Sequence, residues 1–170
     1  GLEMARKGKH QEAFEHWRKA VTLKPNLYEV HFNLGTSYHK KGQLVLAISE
    51  FKRSLDLEPS FYRTHNRLAR ALAEQGNLEE ALQLSRQSIS LKPNYIKGIV
   101  TLGNILEELG RFNEAQAFYK RVLELDSSSY ENYLNLGNVL YLTGNIEEAI
   151  PHFKKAIALN PSSSQAYYNL

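Results

Sequence analysis

Residues 133–161 read YLNLGNVLYLTGNIEEAIPHFKKAIALNP, and the placement of the small residues in this stretch decides the fold. Gly144 stands where a helical run is expected to stop, Ala149 follows five residues later, and Leu159 with Pro161 closes the segment. The same marks recur along the chain. Gly8, Gly42, Gly76, Gly110 and Gly144 are each 34 residues apart, and so are Ala13, Ala47, Ala81, Ala115 and Ala149. A third column is Leu34, Leu68, Leu102, Leu136 and Leu170. A fourth is Leu23, Leu57, Leu91, Leu125 and Leu159, followed two residues on by Pro25, Pro59, Pro93, Ser127 and Pro161. Columns kept in phase over the whole chain are the signature of a stacked array of repeated units.

Each column has a physical reason. Glycine after a helical stretch takes the left-handed conformation that ends the helix. Gly35, Gly103 and Gly137 fall inside the preceding helix, where glycine costs about 1 kcal/mol relative to alanine. A recurring cost of that kind points to close helix–helix approach, and Ala69, the next smallest residue, takes the remaining place. The alanine column serves the same end on the second helix. Proline after leucine cannot continue a helix and separates the repeats. The spacing therefore predicts first helices over roughly 28–41, 62–75, 96–109 and 130–143. Second helices are predicted over roughly 11–24, 45–58, 79–92, 113–126 and 147–160. Apolar residues recur at helical spacing, as in Phe112, Ala115, Phe118, Tyr119, Val122 and Leu123, and no segment alternates with the period of a strand. The expected fold class is all-α, a solenoid of helix pairs.

Composition agrees with a folded chain. Hydrophobic residues make up 42% and charged residues 23%, close to globular averages and unlike a disordered or collagen-like chain. There is no cysteine, which excludes disulfides, a thiol nucleophile and thiolate metal sites. The lack of cysteine is compatible with a reducing compartment, and a cytoplasmic location is expected, although such a chain is equally at home outside the cell. The longest apolar run, Leu44 to Ile48, is far short of the roughly 20 residues that span a bilayer, so no membrane insertion is expected. Net charge is +3, too small to imply nucleic acid by itself. Residues 1–95 carry 15 basic and 10 acidic side chains and residues 96–170 carry 6 and 8, a mild polarity along the chain.

The pattern resembles the tetratricopeptide repeat family over all 170 residues. Tyr133-Leu134-Asn135-Leu136-Gly137-Asn138, Gly144-Asn145, Glu148-Ala149, Phe153, Ala156 and Pro161 show it most clearly. The resemblance implies antiparallel helix pairs stacked into a right-handed superhelix, with a concave groove lined by the first helices. It divides the chain into a partial repeat at 1–27, full repeats at 28–61, 62–95, 96–129 and 130–163, and the start of a further helix at 164–170. The chain begins at Gly1, inside a first helix, and ends inside another, so it is expected to be a piece of a longer array, with end-to-end self-association between copies. Three features depart from the pattern. Ser85 stands where Trp17, Phe51, Tyr119 and Phe153 stand, while Ser54 and Ser88 replace alanine, so the helix over 79–92 is expected to be the loosest. Pro151, in the second turn of its helix, is expected to lose a backbone hydrogen bond or bend the axis.

A search for chemistry comes back empty. His31 and His65 occupy a column shared with Tyr133 and Tyr167 and are read as packing residues. No His-Glu-x-x-His, calcium-binding, dinucleotide-binding or Walker-type pattern is present, and no nucleophile has an identifiable base. Paired acids, Glu79-Glu80, Glu107-Glu108 and Glu147-Glu148, are read as solvated faces or helix-start charges. Neither enzymatic activity, nor a cofactor, nor a metal is expected.

Function is then expected on the groove. With the family's geometry its lining includes Asn33, Thr36, Arg63, Arg67, Arg70, Asn104, Asn135, Asn138, Tyr141 and Asn169. Arg63, Arg67 and Arg70 share one helix face, and no acid at matching spacing on that helix is expected to neutralise them. They are either solvated or paired with Glu29 or Glu74, or they form a docking patch for carboxylate or phosphate, which guanidinium binds through two parallel hydrogen bonds. The asparagines form a ladder, and an amide, both donor and acceptor, suits the backbone of an extended peptide. Leu134, Tyr141 and Tyr168 beside it offer a side-chain pocket. The ladder is similar to that of the repeat domain preceding the catalytic region of protein O-GlcNAc transferases, which grips extended substrate peptides. Chaperone-binding members of the family use a five-residue carboxylate clamp; Asn33, Arg63 and Arg67 match part of it, but Leu2 replaces an asparagine and no complete clamp is present. The expected function is a non-catalytic scaffold binding a protein or peptide, with an acidic segment near the arginines. The alternative is a substrate-docking segment of a larger enzyme such as an O-GlcNAc transferase. Nucleic-acid binding is not expected, because groove aromatics are few and lie toward the acidic end.

Overall fold

The structure, a computed structural model, describes residues 10–170. Among the described residues it consists of helices alone: α1 (His10–Leu23), α2 (Tyr28–Lys40), α3 (Leu44–Leu57), α4 (Tyr62–Glu74), α5 (Leu78–Leu91), α6 (Ile96–Glu108), α7 (Phe112–Leu125), α8 (Tyr130–Leu142), α9 (Ile146–Leu159) and α10 (Ser164–Asn169). The fold is an all-α solenoid of helix–turn–helix repeats. It falls into two compact units, one ending at Lys92 and one beginning at Pro93. In the first unit α1 packs on α2, α2 on α3, α3 on α4 and α4 on α5, and α2 also touches α4; in the second, α6 to α10 pack in the same sequential way.

The first helices α2, α4, α6 and α8 end one residue sooner than their spacing predicts; the second helices all end one residue sooner, and α3, α5, α7 and α9 also begin one residue sooner. The closing turn explains the first shift. After α2, Gly42 donates to His39 O at 3.0 Å and Gln43 donates to Tyr38 O at 3.0 Å, the paired bonds of a Schellman motif. The same pair recurs at Gly110 and Arg111, with φ of +70° at Gly110 and open space around it. The motif consumes both the glycine and the residue after it, and the next helix starts immediately. At the other end, the residue before a repeat-closing proline is pushed to extended backbone, as Glu58 is at φ −142° and Lys92 at φ −139°, which stops the second helix early.

The glycines inside the first helices have a different reason. A Cβ on Gly35 would lie 2.7 Å from the Phe51 ring, on Gly103 2.6 Å from the Tyr119 ring, and on Gly137 2.5 Å from the Phe153 ring. Each ring is fully buried under the backbone of its partner helix. Sixteen residues separate each glycine from its ring, and at the fourth equivalent pair stand Ala69 and Ser85, both fully buried. Where the glycine gains a methyl group, the aromatic side chain is gone.

Ser85 is the one serine of its neighbourhood left in difficulty. Ser54 Oγ and Thr64 Oγ1 are 3.1 Å apart, and Ser88 Oγ donates to Tyr62 O at 2.8 Å. Ser85 Oγ is buried with no hydrogen-bond partner, which makes it a specific defect in an otherwise continuous α5. The two histidines are packed as expected. His31 is buried between Glu50, 2.7 Å from Nδ1, and Pro25 O, 2.9 Å from Nε2. His65 keeps the second contact, to Pro59 O at 2.7 Å, but Leu84 stands where Glu50 stood, and its Nδ1 has no partner. Helix α9 runs unbroken through Pro151, so the proline removes one donor without ending the helix.

Candidate functional site

The predicted site residues all lie on first helices or their equivalent, and the two units present them separately. In the first unit, Asn33 and Thr36 are half-buried on α2, with the Thr36 hydroxyl already donating to Phe32 O at 2.9 Å. On α4, Arg63 and Arg70 are exposed and Arg67 half-buried. The arginines are less bare than their spacing suggests. Arg70 lies 3.9 Å from Glu74, four residues on along the same helix, and Glu74 also receives His39 Nε2 at 2.9 Å from α2. Arg63 donates to the Tyr62 hydroxyl at 3.3 Å and lies over its ring. The contacts of Arg63 and Arg70 are exposed and worth no more than about 1 kcal/mol each, so these two guanidinium groups can be drawn to a stronger acceptor.

In the second unit the structure gathers the predicted asparagines around open cavities. Asn104, Asn135 and Asn138 line one of about 440 Å³ together with Glu107. Asn138, Tyr141 and Asn169 line another of about 560 Å³, again with Glu107, and with Phe153 as part of its wall. A third, of about 350 Å³, is lined by Asn135 and Asn138 with Ser162 to Ser164. Asn138 borders all three. The amides are not all idle, since Asn169 Nδ2 donates to Asn138 Oδ1 at 2.7 Å.

Glu107 corrects the reading of paired acids. Glu79, Glu80, Glu147 and Glu148 do occupy first turns, where carboxylates favour the helix dipole, and Glu108 is exposed. Glu107, in the last turn of α6, is half-buried instead. The cause is the ring beneath Gly103: the space that glycine leaves admits Tyr119, whose hydroxyl then reaches 3.0 Å from Glu107 Oε2 and 2.8 Å from Asn104 Oδ1. One hydroxyl proton cannot serve both acceptors; with the Asn104 amide turned so that its NH₂ donates to the phenol oxygen, the proton goes to the carboxylate. Burial pushes the Glu107 carboxyl above the usual carboxylate range, against the opposing pull of the Tyr119 hydroxyl and with some help from Glu108. Burial and the nearby Glu107 likewise raise the Tyr119 phenol. In the sequence Glu107 stands among the paired acids, and its neighbour Glu108 concealed it.

Comparison with known proteins settles the family. The profile described as "Tetratricopeptide repeat" matches residues 60–128 and 96–162, a related one matches 28–61, and one described as "TPR repeat" matches 1–42. The chain belongs to the tetratricopeptide repeat family. Tetratricopeptide repeat arrays are interaction scaffolds and are generally non-catalytic. Similar solved structures include PilF of Pseudomonas aeruginosa, with TM-score 0.88 and 20% identity over 99% of this chain and 77% of that one. MamA from Desulfovibrio magneticus RS-1 has TM-score 0.84 and 18% identity, covering 96% and 92% of the two chains. YrrB, described as "a TPR protein with an unusual peptide-binding site", has TM-score 0.80 and 20% identity over 98% and 86%. At these identities the likeness speaks for the tetratricopeptide fold alone. No curated protein matches the chain by sequence. Among the described residues no helix is long and apolar enough to cross a membrane, and no group of three or more potential metal ligands is gathered.

Proposed function

We propose that the chain is a scaffold that holds an extended peptide on the first-helix face of its second unit, with Asn104, Asn135 and Asn138 gripping the peptide backbone. The observation that carries this reading is the convergence of three open cavities on Asn138, with amides on each side of it. Amides at successive first helices offer donors and acceptors at repeated intervals, which matches the repeating N–H and C=O of an extended chain and does not depend on its side chains. In the first unit, Arg63, Arg67 and Arg70 on α4 would take an acidic segment of a partner; the contacts of Arg63 and Arg70 described above are exposed and weak. YrrB offers a precedent for peptide binding on this fold, and no more than that.

The test is binding of a fluorescent pool of extended peptides with degenerate sequence. Asn135→Ala with Asn138→Ala is expected to weaken affinity by about tenfold, the loss of one or two hydrogen bonds to each, with the helical circular dichroism unchanged. Unaltered affinity in that variant sinks the ladder.

A further inference from the structure

The cavity of about 560 Å³ in the second unit is of a size that takes a side chain and some of its backbone. Its lining is chemically lopsided. Tyr141, Leu142, Phe153 and Tyr168 supply aromatic and aliphatic surface, and Glu107 supplies the single charge. None of the residues lining it, or lining the adjoining cavity of about 440 Å³, is basic. Glu107 forms no ion pair among the described residues; its partner is the Tyr119 hydroxyl, which orients the carboxylate without neutralising it. A half-buried carboxylate that has lost part of its hydration gains most from a cation brought in from outside. Tyrosine faces favour the same guest, since a cation over an aromatic ring is attracted by its quadrupole. An anionic side chain would meet a like charge and no counter-ion. An aliphatic side chain would find surface, but would bury a carboxylate without pairing it.

Building on the peptide-binding reading above, we infer that this cavity receives a lysine or arginine side chain of the bound peptide, its stem lying along Leu142 and Tyr141 and its cationic head paired with Glu107. Long basic side chains divide naturally in this way, with an apolar stem and a charged tip. Glu107 is then the specificity-determining residue of the groove. The asparagines hold any extended backbone, and Glu107 selects which residue may sit at one position. Tyr119 is a positioning residue behind it, held in place by the absent side chain of Gly103.

The experiment uses the whole chain and three fluorescent peptide pools with degenerate flanks, identical except for one fixed central residue: lysine, norleucine or glutamate. Norleucine keeps the stem and lacks the charge. The lysine pool is expected to bind about tenfold tighter than the norleucine pool, the scale of one charge-assisted hydrogen bond, with the glutamate pool weakest. Glu107→Gln keeps the shape and is expected to bring the lysine and norleucine pools to nearly equal affinity, while Asn135→Ala with Asn138→Ala weakens all pools alike. Circular dichroism of each variant confirms that it is folded. Equal binding of lysine and norleucine pools by the unaltered chain, or a lysine preference that survives Glu107→Gln, overturns the inference while leaving the peptide groove intact. Absence of binding by every pool overturns both.

Discussion

At the scale of single residues, the most informative pair is Ala69 and Ser85. Elsewhere a bare glycine admits a ring, at Gly35 with Phe51, Gly103 with Tyr119 and Gly137 with Phe153. Ala69 and Ser85 exchange those sizes, and the exchange leaves a buried hydroxyl without a partner. If the two positions compensate, restoring only one should fail. Ser85→Phe alone is expected to destabilise the protein by about 1–3 kcal/mol through overpacking. Adding Ala69→Gly should recover most of that loss, although the glycine itself carries a helix-propensity cost of about 1 kcal/mol. Urea denaturation of the wild type, both single variants and the double variant gives the coupling energy. Strictly additive effects would falsify the pairing.

At the scale of elements, the two classes of glycine look alike in sequence and differ in mechanism. Gly110 closes α6 at positive φ with nothing near its missing side chain, whereas Gly103 sits in the middle of α6 against a ring. Gly110→Ala should therefore cost about 1–3 kcal/mol, all of it backbone strain. Asparagine at the same place should cost less, because it tolerates the left-handed region. At Gly103 the order should reverse: alanine must displace the Tyr119 ring, and the larger asparagine must displace it further. Thermal melts of the four variants decide this by rank rather than magnitude. Between repeats, elements are joined by weaker contacts, Lys52 to Glu80 at 3.3 Å in the first unit and Lys120 to Glu148 at 3.1 Å in the second. These exposed pairs align the helices more than they stabilise them. Turns are stapled as well, with Asp126 accepting from the Ser128 backbone at 2.9 Å and its hydroxyl at 2.6 Å, which holds the Asp126 carboxyl below its usual range.

At the scale of the whole molecule, an array whose helices pack on their sequence neighbours has no single core, and its stability is a sum of local terms. A wound in one repeat should stay near that repeat. Gly137→Leu, which drives a side chain into Phe153, is expected to raise amide exchange in α8 and α9 well before it does so in α2 and α3; uniform loss of protection across all helices would contradict this. The same periodicity explains what was legible from sequence. Gly144, Leu159 and Pro161 are punctuation repeated along the chain, so the helices and their order could be read directly, missing one residue at helix ends where a Schellman turn or a closing turn absorbs it. The placement of Asn104, Asn135 and Asn138 on first helices was readable too, because they follow the same columns. Glu107 was not, because its character comes from a hydroxyl 12 residues away that arrives through a gap beneath Gly103. Nor did the arginine spacing reveal that Glu74 is shared by Arg70 and His39. Periodicity reports which residues share a face; it does not report which of them have been drawn out of water.

The ring under the glycine has a consequence for recombination. Because Gly137 and Phe153 lie on different helices of one repeat, the two helices are lock and key and must be inherited together. A crossover placed between positions 69 and 85 of this chain and a sibling array would join an alanine helix to an aromatic one, or a glycine helix to a serine one, leaving a collision in the first case and a hole in the second. A crossover in the proline turns at 59 or 93 would separate nothing that interlocks this way. Repeats of this kind are thus exchangeable as wholes and not as halves, and the proline turns mark the natural seams.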